Sequence, residues 1–255
     1  MGRIIAIANQ KGGVGKTTTA VNLSAALAAR GKKTLLVDMD PQGNTTSGLG
    51  LEKNELDKTT YEVITGEEKI QNCIVKDLFD NLSLLPANRN LAGAEIELMT
   101  VDKMQFIMKH NLEKVKKQYD FIIIDCMPSL GMMTINALAC ADSVLIPVQA
   151  AYLPVKGLQQ LIKTIGRVKK QLNPKLKIEG ILLTMVDNRT NYARDISLMV
   201  YDTYSASIKV FATGIPMSVR ASEVSVEGGS IYSYDPKGKA AFAYMALTKE
   251  VLKEA

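Results

Sequence analysis

A glycine-rich loop between a short apolar run and a helical segment is the feature that most constrains the fold of this chain. Residues 4–8 are all apolar and predict a β-strand, residues 16–30 predict a helix, and residues 10–18 at their junction read QKGGVGKTT. Glycines in such a loop let successive backbone N–H groups surround an anion, and the helix amino terminus adds its partial positive charge. These parts predict a phosphate-binding loop in which Lys16 reaches the β- and γ-phosphates.

One position of this loop departs from the usual pattern. Position 10 is Gln where the pattern has Gly, and a second lysine, Lys11, stands at the mouth of the loop. The remaining glycines, Lys16 and the hydroxyl of Thr17 are all in place. The loop therefore keeps its predicted chemistry and gains a cation.

Short apolar runs alternate with helical segments along the rest of the chain. They predict strands at residues 4–8, 34–38, 82–85, 121–125, 143–148 and 178–186, with a short one near 210–211. Helices are predicted at residues 16–30, 101–118, 154–172, 191–207 and 239–253. Residues 121–124 are apolar on both faces, which indicates a strand buried between two helical layers. We therefore predict an α/β fold, a doubly wound and mostly parallel sheet flanked by helices, as a single domain over residues 1–255.

Composition excludes several other classes of protein. With 47% hydrophobic and 22% charged residues, the 255-residue chain is typical of folded globular proteins. No apolar run approaches the roughly 18 residues of a membrane-spanning helix, so we expect a cytosolic protein. Cys73, Cys126 and Cys140 are too widely spaced for a disulfide framework or a zinc site, and the single histidine, His110, lies in a Lys/Glu-rich segment. The chemistry must therefore use other groups.

Positive charge is concentrated in the C-terminal part of the chain. Residues 151–255 contain 15 basic and nine acidic side chains, a net charge of +6, whereas residues 1–150 have a net charge of −1. A solvated surface and a face that binds a polyanion both explain this asymmetry.

Carboxylates follow two of the predicted strands. Asp38 and Asp40 come just after the second strand, and Asp125 ends the strand at residues 121–125. Ligands gather at the carboxyl edge of such a sheet. Mg²⁺ needs only one or two protein ligands besides phosphate oxygens, which makes Thr17 and Asp125 the candidate metal ligands. Asp40 is then available to orient or deprotonate a water in line with the γ-phosphate. Asp38 is equally well explained as a helix cap.

Together these motifs resemble those of ParA-type partition ATPases, close to the short Soj-like branch of the ParA/MinD superfamily. The supporting stretches are residues 11–18, 38–44, 125–131, 134–138, 146–149, 187–191 and 234–237. The resemblance implies a P-loop NTPase of the deviant Walker type that hydrolyses ATP with Mg²⁺. Its implied catalytic residues are Lys11, Lys16 and Asp40, and Lys11 would cross the interface of an ATP-bound homodimer to contact the partner subunit's phosphates. The implied nucleotide-binding residues are Lys11, Gly12, Gly13, Val14, Gly15, Lys16, Thr17, Thr18 and Pro216.

The resemblance also implies that the ATP-bound dimer binds double-stranded DNA without sequence preference. Arg189 and Arg220 fall at matching positions, although a surface ion pair is the alternative explanation for each. Met217 is one of several residues that replace a basic or polar residue usual in the family, and nearby lysines are candidates to compensate for this loss. The candidate DNA-binding residues are Arg189, Arg220, Lys209, Lys237 and Lys239. A ParB-like protein is the implied activating partner, and the nucleoid in the cytoplasm is the implied location.

Other functions share this type of phosphate loop. A MinD-like ATPase that cycles on membranes needs a basic amphipathic C-terminal helix, whereas residues 239–252 are Ala-rich and favour packing onto the sheet. Iron–sulfur carriers need cysteines at a spacing that this chain lacks. A related ATPase that positions a protein cargo on DNA stays open as an alternative.

Overall fold

A computed structural model of the chain describes residues 2–150, 154–187 and 189–253. Its strands form one seven-stranded sheet in the order β3-β4-β2-β5-β1-β6-β7. Every pairing is parallel except that of β3 with β4. The strands are β1 (Arg3–Ile7), β2 (Thr34–Met39), β3 (Val75–Phe79), β4 (Leu82–Leu85), β5 (Phe121–Cys126), β6 (Ser143–Gln149) and β7 (Lys177–Thr184). The predicted α/β fold with a mostly parallel sheet is thus confirmed.

Helices connect the strands and cover both faces of the sheet. In chain order they are α1 (Lys16–Ala28), α2 (Asn44–Gly48), α3 (Thr60–Thr65), α4 (Ile70–Cys73), α5 (Leu91–Glu97), α6 (Ile107–Glu113), α7 (Met132–Cys140), α8 (Pro154–Gln171), α9 (Asn191–Tyr204), α10 (Val219–Glu227), α11 (Ile231–Tyr234) and α12 (Lys239–Lys253). None of the helices in the described ranges is long and apolar enough to cross a bilayer.

The central strand β5 shows why the sheet needs a helical layer on each side. Its side chains alternate between two cores: Ile124 packs in the core that contains Leu138 of α7 and Leu161 of α8, and Ile123 packs in the core that contains Leu23 of α1 and Leu247 of α12. All are buried, and complete burial of such a side chain contributes about 1.5–3 kcal/mol. The apolar run at residues 121–124 predicted this arrangement.

The C-terminal helix α12 packs on the sheet, as its Ala-rich sequence predicts. Tyr244 is buried and its hydroxyl lies 3.4 Å from that of Thr19 in α1. Further along α12, the carbonyl of Val251 accepts a hydrogen bond from Arg3, at the start of β1. Helix α1 starts at the phosphate loop, and α12 packs alongside α1 in the same direction. The first residues of α12 therefore lie near the carboxyl edge of the sheet.

Several predicted elements are wrong in extent or were missed. The helix predicted at residues 101–118 is much shorter in the structure. Only α6 (Ile107–Glu113) is α-helical there, with a single 3₁₀ turn on each side, and Lys103, before the first of these turns, has a left-handed backbone with φ 55°. The strand near residues 210–211 is a single bridge from Val210 to Ile181. Strand β3 was missed because Lys76 and Asp77 interrupt its apolar pattern, and Asp77 has φ 51°. The buried helix α7 was missed because it is apolar nearly all round.

Candidate nucleotide-binding site

The phosphate loop joins the end of β1 to the start of α1 at the carboxyl edge of the sheet. Gly13 and Gly15 have φ values of 70° and 82°, in the left-handed region that glycine adopts without strain. The hydroxyl of Thr184 donates to the carbonyl of Val14 at 2.8 Å and so fixes the loop to β7. Helix α1 begins directly after Gly15, so the N–H groups of its first turn, which have no partner within the helix, face the loop.

The two lysines of the loop have different environments. Lys16 is 6% exposed, and its Nζ donates to the carbonyl of Lys11 at 2.9 Å. Burial lowers the pKa of Lys16, although Asp125 and Asp40 oppose that shift. Lys11 is exposed, and its backbone N–H donates to Asn9, which donates to the carbonyl of Pro147. Lys16 thus lies inside the site, whereas Lys11 can extend away from the molecule.

Asp125 brings together residues from three parts of the chain. It is 1% exposed, and its Oδ2 accepts hydrogen bonds from the hydroxyls of Thr17 at 2.8 Å and Thr45 at 2.7 Å. Its buried Oδ1 has no hydrogen-bond partner among the described residues. Burial raises the pKa of Asp125 to about 6, although the two threonine bonds oppose the shift. An unpartnered carboxylate oxygen beside a threonine hydroxyl fits a hard cation such as Mg²⁺.

Asp38 and Asp40, two residues apart, occupy distinct positions. Asp38 is fully buried, and its carboxylate accepts hydrogen bonds from the N–H of Asp40 and from the N–H and hydroxyl of Thr46 in α2. Burial, followed by the charge of Asp125, raises the pKa of Asp38 to about 7. Asp40 is 9% exposed, and its Oδ1 accepts from the N–H of Gln42 at 2.9 Å. Asp38 thus binds an N–H group in the first turn of α2, although the N-cap residue of that helix is Gly43.

A cavity of about 110 Å³ lies beside the phosphate loop. Gly15 and Thr18 of the loop region line it, together with Thr184, Pro216 and Tyr244. Pro216 is thus next to the loop, in keeping with its predicted place in the nucleotide-binding set. A larger cavity of about 720 Å³ opens at the opposite, amino-terminal edge of the sheet, and none of the predicted site residues lines it.

Four of the five candidate DNA-binding residues are exposed, namely Arg189, Arg220, Lys237 and Lys239. Arg189 follows β7 and pairs with both carboxylate oxygens of Asp187 at 2.8 Å. Arg220 in α10 lies over the ring of Tyr234 at 5.6 Å. Lys239 is the first residue of α12, at the end of that helix nearer the phosphate loop. The fourth is Lys237, two residues before α12.

Lys209, the fifth candidate, lies elsewhere. Its Nζ is 3.8 Å from Glu250, near the end of α12, and 4.6 Å from the centre of the Phe211 ring. Its carbonyl accepts from the N–H of Ile181, in the middle of β7. The structure therefore places Lys209 near the opposite end of α12 from Lys239, and its role in DNA binding stays a prediction.

Thr45 and Thr46 are site residues that sequence reasoning missed. Thr45 contacts Asp125 and Thr46 contacts Asp38, and both threonines are fully buried. The available signal was the run of three hydroxyl residues at positions 45–47, which begins two residues after Gly43 in a short helix.

Comparisons with known proteins agree with this geometry. A family model described as an AAA domain matches residues 2–178. The sporulation initiation inhibitor protein Soj of Bacillus subtilis is 50% identical over 251 residues, which cover 98% of each chain. The chromosome partitioning protein ParA of Myxococcus xanthus is 48% identical over 253 residues, covering 99% of this chain and 89% of that protein.

A solved structure extends the similarity to a nucleotide-bound protein. The Mycobacterium smegmatis protein described as cobyrinic acid a,c-diamide synthase, with bound ADP and magnesium, matches with a TM-score of 0.88 and 38% identity. The match covers all of this chain and 95% of that one. On its identity with Soj and ParA over nearly its full length, together with its phosphate loop and buried carboxylates, the chain belongs to the ParA/Soj family of partition ATPases.

Proposed function

We propose that this chain is a Mg²⁺-dependent ATPase for DNA partition, working as one domain over residues 1–255. Its ATP-bound sandwich dimer binds DNA without sequence preference and releases it on hydrolysis to ADP and phosphate. The observation that carries this proposal is the group formed at the phosphate loop by buried Lys16, half-buried Thr17 and buried Asp125, in which Oδ1 of Asp125 has no hydrogen-bond partner among the described residues. The names of the relatives at 50% and 48% identity support the partition role.

The residues of the site divide the work of phosphoryl transfer. Lys16 donates to the carbonyl of Lys11 here, and it would give that hydrogen bond to the β- and γ-phosphates of a bound nucleotide. Thr17 and Asp125 would hold Mg²⁺, which stabilises the charge on the phosphates when bound. Asp40 would orient the attacking water, and the exposed Lys11 would reach the nucleotide of a second subunit.

The exposed cations supply the DNA-binding half of the proposal. Contacts to phosphates give salt-sensitive affinity that does not depend on sequence, because they do not read the bases. Dimerisation doubles the number of such contacts, and each contact adds about −0.9 to the slope of log affinity against log salt. ATP would thus control DNA affinity by controlling the number of cations that act together.

A ParB-like activator and a nucleoid location in the cytoplasm are part of the proposal. The resemblance of the motifs to partition ATPases implies both, and the names of two relatives describe chromosome partitioning. The cargo attached to the activator is a replicon in this proposal, and a protein assembly in the alternative.

The name of the Mycobacterium structure indicates a different activity, amide formation. A common route to an amide takes ammonia from glutamine at an ionised cysteine, which requires an accessible thiol with a lowered pKa. Cys73, Cys126 and Cys140 are all buried, and burial raises the pKa of each thiol above its ordinary value. Reactive cysteines have lowered pKa values and accessible sulfurs, so these three give that activity no support here.

Nucleotide-dependent DNA binding tests the proposal. A fluorescent random-sequence duplex is titrated with the protein in ATP–Mg²⁺ and in ADP–Mg²⁺, at two salt concentrations, and anisotropy is recorded. We expect tight, salt-sensitive binding only with ATP. Equal or absent binding in both states contradicts the DNA-carrier role, and binding to anionic lipid vesicles instead would identify a membrane-cycling ATPase.

A further inference from the structure

A fully buried hydrogen-bond network surrounds Asp38, one strand away from the candidate metal site. The carboxylate of Asp38 accepts from the N–H of Asp40 at 3.1 Å, and from the N–H and hydroxyl of Thr46 at 3.0 and 2.8 Å. These donors lie at the two ends of residues 40–46, which we call the Asp40 segment. A buried charge is costly unless such bonds compensate it, so the network is a specific arrangement.

The hydroxyl of Thr46 extends this network to a third part of the chain. It donates to Asp38 and accepts from the N–H of Ala87, just after β4, at 2.9 Å. A valine at position 46 would keep the shape of the side chain but would leave the N–H of Ala87 without its acceptor. The hydroxyl therefore links the Asp40 segment to its neighbour in the sheet.

The same turn of α2 also reaches the candidate metal site. Thr45 donates to Asp125 at 2.7 Å, and Asp38 and Asp125 are direct partners in the register of β2 and β5. Adjacent threonines therefore bond to two adjacent carboxylates, one of which is a candidate Mg²⁺ ligand.

We propose that Asp38 and Thr46 form a positioning pair that holds the Asp40 segment in place for hydrolysis. The proposal rests on the proposed ATPase function, because it concerns the geometry of Asp40 in that reaction. The hydrogen bonds of the two side chains go to residues 40, 46 and 87 and not to the phosphate loop, so we expect nucleotide binding to persist when the pair is broken. Catalytic geometry should not persist, since a displacement of about 1 Å can cost on the order of 10²-fold in rate.

The first test separates turnover from binding with variants at position 46. We expect Thr46→Val to lower kcat for ATP hydrolysis by roughly tenfold or more, with KM for ATP changed by less than about twofold. Thr46→Ser retains the hydroxyl and should recover most of the lost kcat. An unchanged kcat in Thr46→Val, or a loss of equal size in Thr46→Ser, overturns the proposal.

Thr60→Val is the matched control. Thr60 is also fully buried, and its hydroxyl donates to the backbone carbonyls of Asp38 and Pro86, but it does not bond to the Asp38 carboxylate. The Thr60→Val variant therefore loses a buried hydroxyl close to Asp38. The Tm of this variant should fall, while its kcat should change by less than about twofold. A loss of kcat as large as that of Thr46→Val would show a general structural effect and would contradict the proposal.

Hydrogen exchange tests the pair without turnover. We expect faster amide exchange in peptides that cover residues 39–47 in Thr46→Val and in Asp38→Asn than in the native chain, with residues 10–18 unchanged. Unchanged exchange at residues 39–47 overturns the proposal even where ATP is hydrolysed. If the native chain does not hydrolyse ATP, the proposed function fails, while the exchange data still decide whether the pair holds the segment.

Discussion

The charged groups of the phosphate-loop site are buried, whereas most of the candidate DNA-binding cations in the C-terminal part are exposed. Lys16 and Asp125 are 6% and 1% exposed, and Asp125 accepts hydrogen bonds from Thr17 and Thr45, which are 108 and 80 residues away in sequence. The side chain of Arg189 is 86% exposed, and it bonds to Asp187, two residues away. Buried charges have one stable arrangement because every unpaired alternative is costly, whereas exposed charges can move to suit a partner. Substitutions should therefore have large effects in the first region and graded effects in the second.

Lys16→Ala should have the largest effect. The substitution removes the buried cation that would bind the phosphates in the proposed function, so we expect ATP binding and hydrolysis to fall by at least about 10²-fold, measured by isothermal titration and phosphate release. Lys163→Ala, an exposed lysine in α8, is the control for loss of one positive charge. Similar losses in the two variants would remove the distinction between buried and exposed charges.

Asp40→Ala should nearly stop hydrolysis while ATP binding persists. Loss of a group that orients the attacking water typically costs about 10²–10⁴-fold in rate. We expect ATP to accumulate on the protein, together with a stable dimer in sedimentation experiments. Asp202→Ala, an exposed carboxylate in α9, should behave like the native chain. Normal turnover by Asp40→Ala would exclude Asp40 from catalysis.

Arg189→Glu combined with Arg220→Glu should weaken DNA binding without changing ATP binding. Each lost phosphate contact should reduce the salt slope by about 0.9, so the variant's affinity should depend less on salt. Lys33→Glu with Lys117→Glu makes the same change in net charge at the opposite edge of the sheet and is the control. Equal losses in both pairs would indicate a general charge effect, and unchanged affinity in the arginine pair would place the DNA-binding face elsewhere.

The stability of the nucleotide-free protein should rise as pH falls from about 7 toward 4. The pKa values of Asp38 and Asp125 are raised to about 7 and about 6, so over this range the folded state binds more protons than the unfolded state. Asp187 and Glu68, whose pKa values are lowered to about 2, oppose this trend only from about pH 5 downward, where their stabilising contributions begin to be lost. Thermal unfolding across this pH range measures whether stability rises or falls, and Asp125→Asn should make the Tm depend less on pH. A Tm that falls steadily below pH 7 would contradict the predicted rise in stability.

Lys209→Gln should have the smallest effect on DNA affinity, a change of less than about twofold, because its ammonium pairs with Glu250. Anisotropy with the same duplex measures this affinity, and Lys239→Gln, at the other end of α12, is the comparison. A larger loss for Lys209 than for Lys239 would extend the proposed DNA-binding face down α12 and would support the sequence prediction for Lys209.

The same contrast explains which parts of the structure the sequence could predict. Strand β5 and the phosphate loop follow from local pattern, and the position of Asp125 at the end of β5 placed it beside Thr17. Thr45 bonds to a carboxylate 80 residues away, and no local pattern specifies that contact. Sequence spacing likewise could not separate Lys209 from Lys239, because their positions depend on how the C-terminal segment packs against β7.

The central claim is that hydrolysis at the buried site ends DNA binding by the exposed cations. The most direct test supplies a limiting amount of ATP–Mg²⁺ to the protein with labelled duplex and follows anisotropy over time, for the native chain and for Asp40→Ala. The account predicts that the native signal decays at the rate of ATP hydrolysis, while the Asp40→Ala signal persists. The same time course for both proteins would show that DNA release does not depend on hydrolysis and would contradict the account.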